Sequence, residues 1–370
     1  MTHPKVPFVN LTRQFENQQA KLTEIFQTVG KSGAYVMGDG VQKFESSVAK
    51  YCEVKHALGV GNGTDSLSMI MLALGLGAGD EVITAPNSYI SSASSISNIG
   101  ATPIFADIRN DLNLDPDCVK ARITGKTRAI IAVHLTGKPA EMNALNAIAQ
   151  QHDLFVIEDA AQAIGAMYKG RRVGGLGIAG SFSLHPLKNL NVMGDGGLIT
   201  TNDTALYEKL KKLRNHGMIG RDSAEFWGMN SRLDTLQAEI GLFRLEHLDS
   251  TTARFREIAD LYRNGLSDLV GTPFDKEHEY CVYHNFIIQV EERERLMDYL
   301  ARAGVETKIH YPIQLHLQPA AAALGYKEGD FPVAERISKK MMSLPIYPEL
   351  HDTEVGYIVN CIRNFYNQVT

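Results

Sequence analysis

The chain has 370 residues, of which 44% are hydrophobic, and a formal net charge of −5. That length suits about two structural units and can bury a sizeable core. A mildly acidic chain without basic runs has no electrostatic footprint for nucleic acid or an anionic membrane. No stretch reaches the ~20 apolar residues of a membrane span, so neither partner is expected.

The N-terminal run MTHPKVPFVNLTRQF lacks the apolar segment of a secretion signal, and Cys52, Cys118, Cys281 and Cys361 are scattered without a CxxC pair. A cytoplasmic protein with reduced thiols and no metal centre is therefore expected. From Ala57 onward, short apolar runs alternate with helical patterns. The predicted strands are Ala57–Val60, Glu81–Thr84, Pro103–Ala106, Ala129–Val133, Phe155–Glu158, Ser181–Leu184 and Leu198–Thr201. Several are unbroken apolar runs, as expected of strands covered on both faces. Amphipathic segments lie between them, at Ser66–Leu74, Ala140–Gln151 and Ala205–Arg214. This alternation predicts an α/β fold with a mostly parallel sheet between helices.

After about Arg232 the pattern changes. The spacing predicts a long helix over Leu236–Arg263, a strand over Val282–Val290, a helix over Arg293–Arg302, a strand over Val305–His310 and a final helix near Val355–Tyr366. The expected division is a large α/β domain over residues 1–235, then a linking helix and a smaller α+β domain over 236–370.

Three segments carry chemistry. In GVGNGTDSLSMIML, Gly59 to Leu72, a strand runs through glycines into a helix start, where free backbone N–H groups favour an anion. Many such turns bind nothing, and the lysine of a nucleotide-binding loop is missing. LFVIEDAAQAIGA ends a buried strand in Glu158 and Asp159. Asp159 has the ordinary reading of a helix cap, but ligands of open α/β sheets bind at the carboxyl ends of strands. SFSLHPLKNLNVMGDGG places Lys188 just after a strand, among small and apolar residues. A loop lysine is usually a solvated charge, whereas a desolvated one loses its proton more readily and can attack an aldehyde.

Together these segments resemble the DegT/DnrJ-type sugar aminotransferases, which have the fold-type I architecture. The likeness runs from VPFVNLTRQF through GNGTDSL, EDAAQA, SFSLHPLKNL, GDGG and GMNSRLDTLQAEI to the HYP segment at His310. It implies pyridoxal 5′-phosphate (PLP) held by Lys188 as a Schiff base, with Asp159 on the pyridine nitrogen and Gln162 at the phenolic oxygen. Gly63, Thr64 and Asp65 would meet the phosphate with backbone N–H groups, and Ser183 with its hydroxyl. Tyr89 would stack on the ring. Asn230 would complete the phosphate site of a neighbouring subunit, which makes the expected protein a homodimer with shared active sites.

The resemblance further implies amino transfer from L-glutamate to a nucleotide-linked ketosugar, at C3, with Arg232, His310, Tyr311 and His316 toward the sugar or diphosphate. Gln314 stands where the 3-amino members usually carry a proline. Two alternatives share the fold. A PLP-dependent sugar dehydratase would replace the lysine by histidine or add clustered cysteines. A non-catalytic PLP-binding regulator would keep the cofactor without turnover.

Overall fold

The computed structural model describes residues 5–369. Seven strands form the central sheet: β1 (His56–Val60), β2 (Glu81–Thr84), β3 (Thr102–Phe105), β4 (Thr127–Val133), β5 (Phe155–Asp159), β8 (Ala179–Ser183) and β9 (Gly197–Thr201). The remaining strands are short: β6 (Met167–Tyr168), β7 (Arg171–Arg172), β10 (Glu279–Tyr280), β11 (Phe286–Gln289) and β12 (Met341–Leu344). The order across the large sheet is β1-β9-β8-β5-β4-β2-β3, and β9 alone runs antiparallel to its neighbours. All seven predicted strands are present, and the apolar runs are buried because helices cover both faces.

The helices are α1 (Leu11–Ser32), α2 (Asp39–Tyr51), α3 (Gly63–Ala73), α4 (Ile90–Asn98), α5 (Pro116–Ala121), α6 (Met142–His152), α7 (Thr204–Leu213), α8 (Thr235–Leu245), α9 (Leu248–Leu266), α10 (Arg293–Arg302), α11 (Pro332–Ser338) and α12 (Asp352–Val369). Among the described residues, no helix is long and apolar enough to cross a membrane. One core cluster surrounds the large sheet, with Ile83, Ile130, Ile157 and Met69 at its centre. A second gathers Tyr262, Phe286, Leu296, Leu344 and Ile358 around the β11–β12 pair.

Three expectations change. The single helix over Leu236–Arg263 is two, α8 and α9, broken at Glu246–His247. Leu245 and Leu248 are both buried, so the apolar stripe continues across the break and periodicity conceals it. Only Phe286–Gln289 of Val282–Val290 is strand, because Val282 and Asn285 donate instead to Gly137 and Thr136. Val305–His310 is not a strand. It makes only isolated bridges, Val305 to Val6 and Lys308 to Ser343.

β5 ends in two buried carboxylates with opposite duties. Glu158 is fully buried and accepts from His134 Nε2 at 3.0 Å and from the N–H groups of Gly174, Leu176 and Gly177 at 2.7–2.8 Å. His134 Nδ1 accepts from Ala140 N, so the proton sits on Nε2 and points at Glu158. This clamp sets the strand end that carries Asp159. Glu158→Leu leaves four donors unpaired, two of them buried, and denaturant unfolding should show a loss of about 3–5 kcal/mol.

Candidate active site

The carboxyl ends of β2, β4, β5 and β8 face one crevice, where an open parallel sheet binds its ligands. Asp159 closes β5 and pairs in register with Ser181 on β8. Its side chain is buried, and Oδ2 accepts from Ser92 Oγ at 2.7 Å. Oδ1 has only a long contact from Ala161 N, 3.3 Å. A carboxylate supplied with so few donors retains lone pairs for a cationic partner.

Lys188 follows β8 in a loop closed by backbone bonds from Val192 N to Leu184 O and from Lys188 N to His185 O. Arg244 donates to Asn191 Oδ1 at 2.7 Å and Asn189 donates to Val282 O at 2.9 Å, so both flanks of the lysine are tied down. Desolvation lowers the Lys188 ammonium from its ordinary 10.5 to about 8, with Asp159 opposing the shift. Gln162 accepts from Thr136 N at 2.7 Å and donates from Nε2 to Tyr311 Oη at 3.3 Å. Tyr311 in turn lies 5.6 Å from Tyr89, ring centre to ring centre. Tyr89 is 56% exposed, so it is no core aromatic but an open ring face beside the crevice. His310 bonds through Nδ1 to Ser343 Oγ at 2.8 Å, and burial together with the Lys188 charge lowers its pKa to about 4.

The start of α3 has the form of an anion site. Gly63 and Thr64 offer N–H groups that find no partner among the described residues. A Cβ on Gly63 would stand 3.0 Å from that of Ser183, so glycine is what lets the helix start approach β8. Ser183 Oγ accepts from His185 N at 3.3 Å, which leaves its own proton to donate. Asp65 departs from expectation: its N–H is taken by the Asn62 cap at 2.8 Å, and its carboxylate accepts from Ser231 Oγ. Among the described residues, the amides left free at this helix start are therefore those of Gly63 and Thr64.

A second departure is His316. It is 2% exposed, bonds through Nε2 to Glu335 Oε1 at 3.1 Å and packs edge-on against Phe331. It belongs to the core, not the crevice. Asn230 is exposed and bridged to Asn215, and Arg232 donates to Asn215 Oδ1 at 3.1 Å. No described contact joins either to Lys188, Asp159 or Tyr311.

Motif reading passed over the first turn of α4. Ser91 bonds to Thr64 Oγ1 at 2.8 Å and Ser92 to Asp159, so one turn links the anion site to the carboxylate. The run of serines after Tyr89, poor helix formers with no core to fill, was the available signal. One His/carboxylate trio among the described residues could share an ion: Glu141, His278 and Glu279. Arg109 and Lys276 already bond to Glu141, and Lys138 to Glu279, so those carboxylates are matched by cations.

A desolvated amine facing a buried carboxylate, with a two-amide anion cradle and a hydroxyl nearby, fits PLP. Because the pKa of Lys188 in the folded protein lies below its ordinary value, the charged lysine destabilises the fold below pH 8, and the penalty fades as pH rises toward 10.5. Lys188→Met should therefore raise the melting temperature of the cofactor-free protein at pH 7, with the gain shrinking above pH 8. A pH-independent gain would contradict the assignment.

The model of the DegT/DnrJ/EryC1/StrS aminotransferase family matches residues 16–363. The chain is 43% identical to a "pleiotropic regulatory protein" of Geobacillus stearothermophilus, with 98% of each chain covered. It is 40% identical to a dTDP-3-amino-3,4,6-trideoxy-alpha-D-glucose transaminase of Streptomyces venezuelae, covering 99% of this chain and 97% of the other. Among solved structures it resembles S. venezuelae DesV in complex with a ketimine intermediate, with TM-score 0.95, 41% identity and 98% of each chain covered. With this fold and this coverage, the chain belongs to the DegT/DnrJ/EryC1/StrS aminotransferase family.

Proposed function

We propose that the protein is a PLP-dependent transaminase that moves an amino group from L-glutamate to C3 of a nucleoside-diphosphate-linked ketosugar. The observation that carries this reading is Lys188, desolvated at one strand end and opposed by Asp159 at the next. Bound there, PLP supplies an aldehyde carbon for amine exchange and a ring that withdraws electrons from the substrate carbon.

The chain's own residues do the rest. The Lys188 amine, with its pKa lowered to about 8, is deprotonated often enough near neutrality to take and return the proton at the substrate carbon. Asp159 holds a proton on the ring nitrogen, and Ser92 keeps that carboxylate oriented. Gln162 and Tyr89 position the ring, while Gly63, Thr64 and Ser183 take the phosphate. His310, lining the cavity beside Lys188, and Tyr311, bonded to Gln162, would meet the sugar hydroxyls.

The working unit in this reading is a cytoplasmic homodimer. Among the described residues, Asn230 and Arg232 have no contact with the residues of their own chain's crevice, and they would serve the neighbour's. Large exposed apolar side chains, Phe26, Tyr35, Val36, Ile219 and Trp227, support such an assembly. The division near residue 235, with the crevice formed where the two parts meet, belongs to the same proposal.

The name of the Geobacillus relative favours a second reading, a cofactor-binding regulator. Turnover separates the two. Incubation with glutamate and paired 3-keto and 4-keto nucleotide sugars should yield 2-oxoglutarate and a new C–N bond at C3 by NMR. Amination at C4 alone would overturn the position, and no turnover with any ketosugar would favour the regulator. For the shared site, Lys188→Ala and Asn230→Ala chains should each be badly impaired alone. Mixed dimers should regain activity in one of their two sites, and no recovery despite subunit exchange would contradict the assembly.

A further inference from the structure

The segment after Cys281 touches both the Gly137 turn and the lysine loop. Val282 N donates to Gly137 O at 3.0 Å. Gly137 adopts φ +89°, and a Cβ there would stand 3.0 Å from Gln162 O and 3.1 Å from His284 N. His284 therefore lies against the Leu135–Gly137 turn, which Gln162 also holds through Thr136 N. On its other side is Asn189, the residue after Lys188. Asn189 Nδ2 donates to the carbonyl of Val282 at 2.9 Å, and its Oδ1 lies 3.1 Å from His284 Nδ1.

These contacts determine the histidine's tautomer. A carbonyl can only accept, so the amide nitrogen of Asn189 faces Val282 and its oxygen faces the ring. The proton must then sit on His284 Nδ1, which leaves Nε2 with a bare lone pair. Nε2 has no hydrogen-bond partner among the described residues. His284, Lys188 and His310 line one cavity of about 60 Å³. The titratable groups that bear on His284 are Lys188, His310 and His185, and Asp159 bears on Lys188 in turn. Burial, with the Lys188 charge beside it, holds the ring neutral, with its pKa far below the ordinary value.

We infer that His284 is a positioning residue for Lys188, its Nε2 accepting an N–H of the lysine whenever that amine is free. The inference rests on the transaminase reading for its role in turnover. A primary amine has two N–H bonds and one lone pair. Anchoring one N–H on His284 restricts the side chain's rotamers and leaves the lone pair for the substrate proton. Asn189 thereby couples the lysine loop to the orientation of the ring that receives it.

The test titrates Lys188 in the cofactor-free protein, from the pH dependence of amine acylation at that residue read by peptide mass spectrometry. His284→Phe removes the acceptor, and His284→Gln replaces it with a carbonyl oxygen while its NH₂ can still reach Asn189. His284→Phe should lower the proton affinity of Lys188 about tenfold, because the ammonium loses an acceptor. Single-turnover amine transfer from glutamate should slow by about tenfold as well, with the cofactor still held. His284→Gln should recover most of both. An unchanged Lys188 titration in His284→Phe, or a His284→Gln variant no better than His284→Phe, would overturn the inference. The titration needs no cofactor, so it stands even if the transaminase reading fails.

Discussion

The site depends on holding an amine and a carboxylate close together with little water around either. Burial alone would make both groups neutral. Their mutual attraction and the few polar contacts allowed to each leave Lys188 near its titration point while Asp159 has lone pairs to spare. The sheet order makes this possible. β5 and β8 are parallel neighbours, so Asp159 and the loop after Ser183 emerge at the same edge. Moving either strand by one residue would turn its side chains to the opposite face and dissolve the pairing.

The surroundings stiffen that arrangement. Glu158 gathers His134 and three backbone amides behind the crevice and makes the end of β5 rigid. The first turn of α4 spans from the anion cradle at Thr64 to Asp159 through adjacent serines. Arg244, through Asn191, and Val282, through Asn189, anchor the lysine loop at two points. Preorganisation of this kind counts for more in catalysis than any single contact, because polar groups already aimed at the reacting atoms need not reorganise during the reaction.

Much of this was legible in the sequence, for a physical reason. Strands buried on both faces are continuous apolar runs, and the polar residues that end such runs face the crevice, as Asp159 and Ser183 do. What stayed hidden depends on partners distant in the chain. His310 and His316 share one segment, yet Glu335 draws His316 into the core while Ser343 holds His310 at the crevice. Asp65 looks like a phosphate ligand until the Asn62 cap claims its N–H. His284 belongs to no motif and becomes meaningful only through Asn189, 95 residues earlier. The break between α8 and α9 escapes because its apolar stripe is unbroken.

The central claim is that one particular lysine holds the cofactor. Borohydride reduction of the protein loaded with PLP, followed by proteolysis and peptide mass mapping, tests it most directly. The account predicts a single phosphopyridoxyl group on Lys188, absent from the Lys188→Ala chain. Stoichiometric modification at any other lysine, or none at all despite bound PLP, would contradict it.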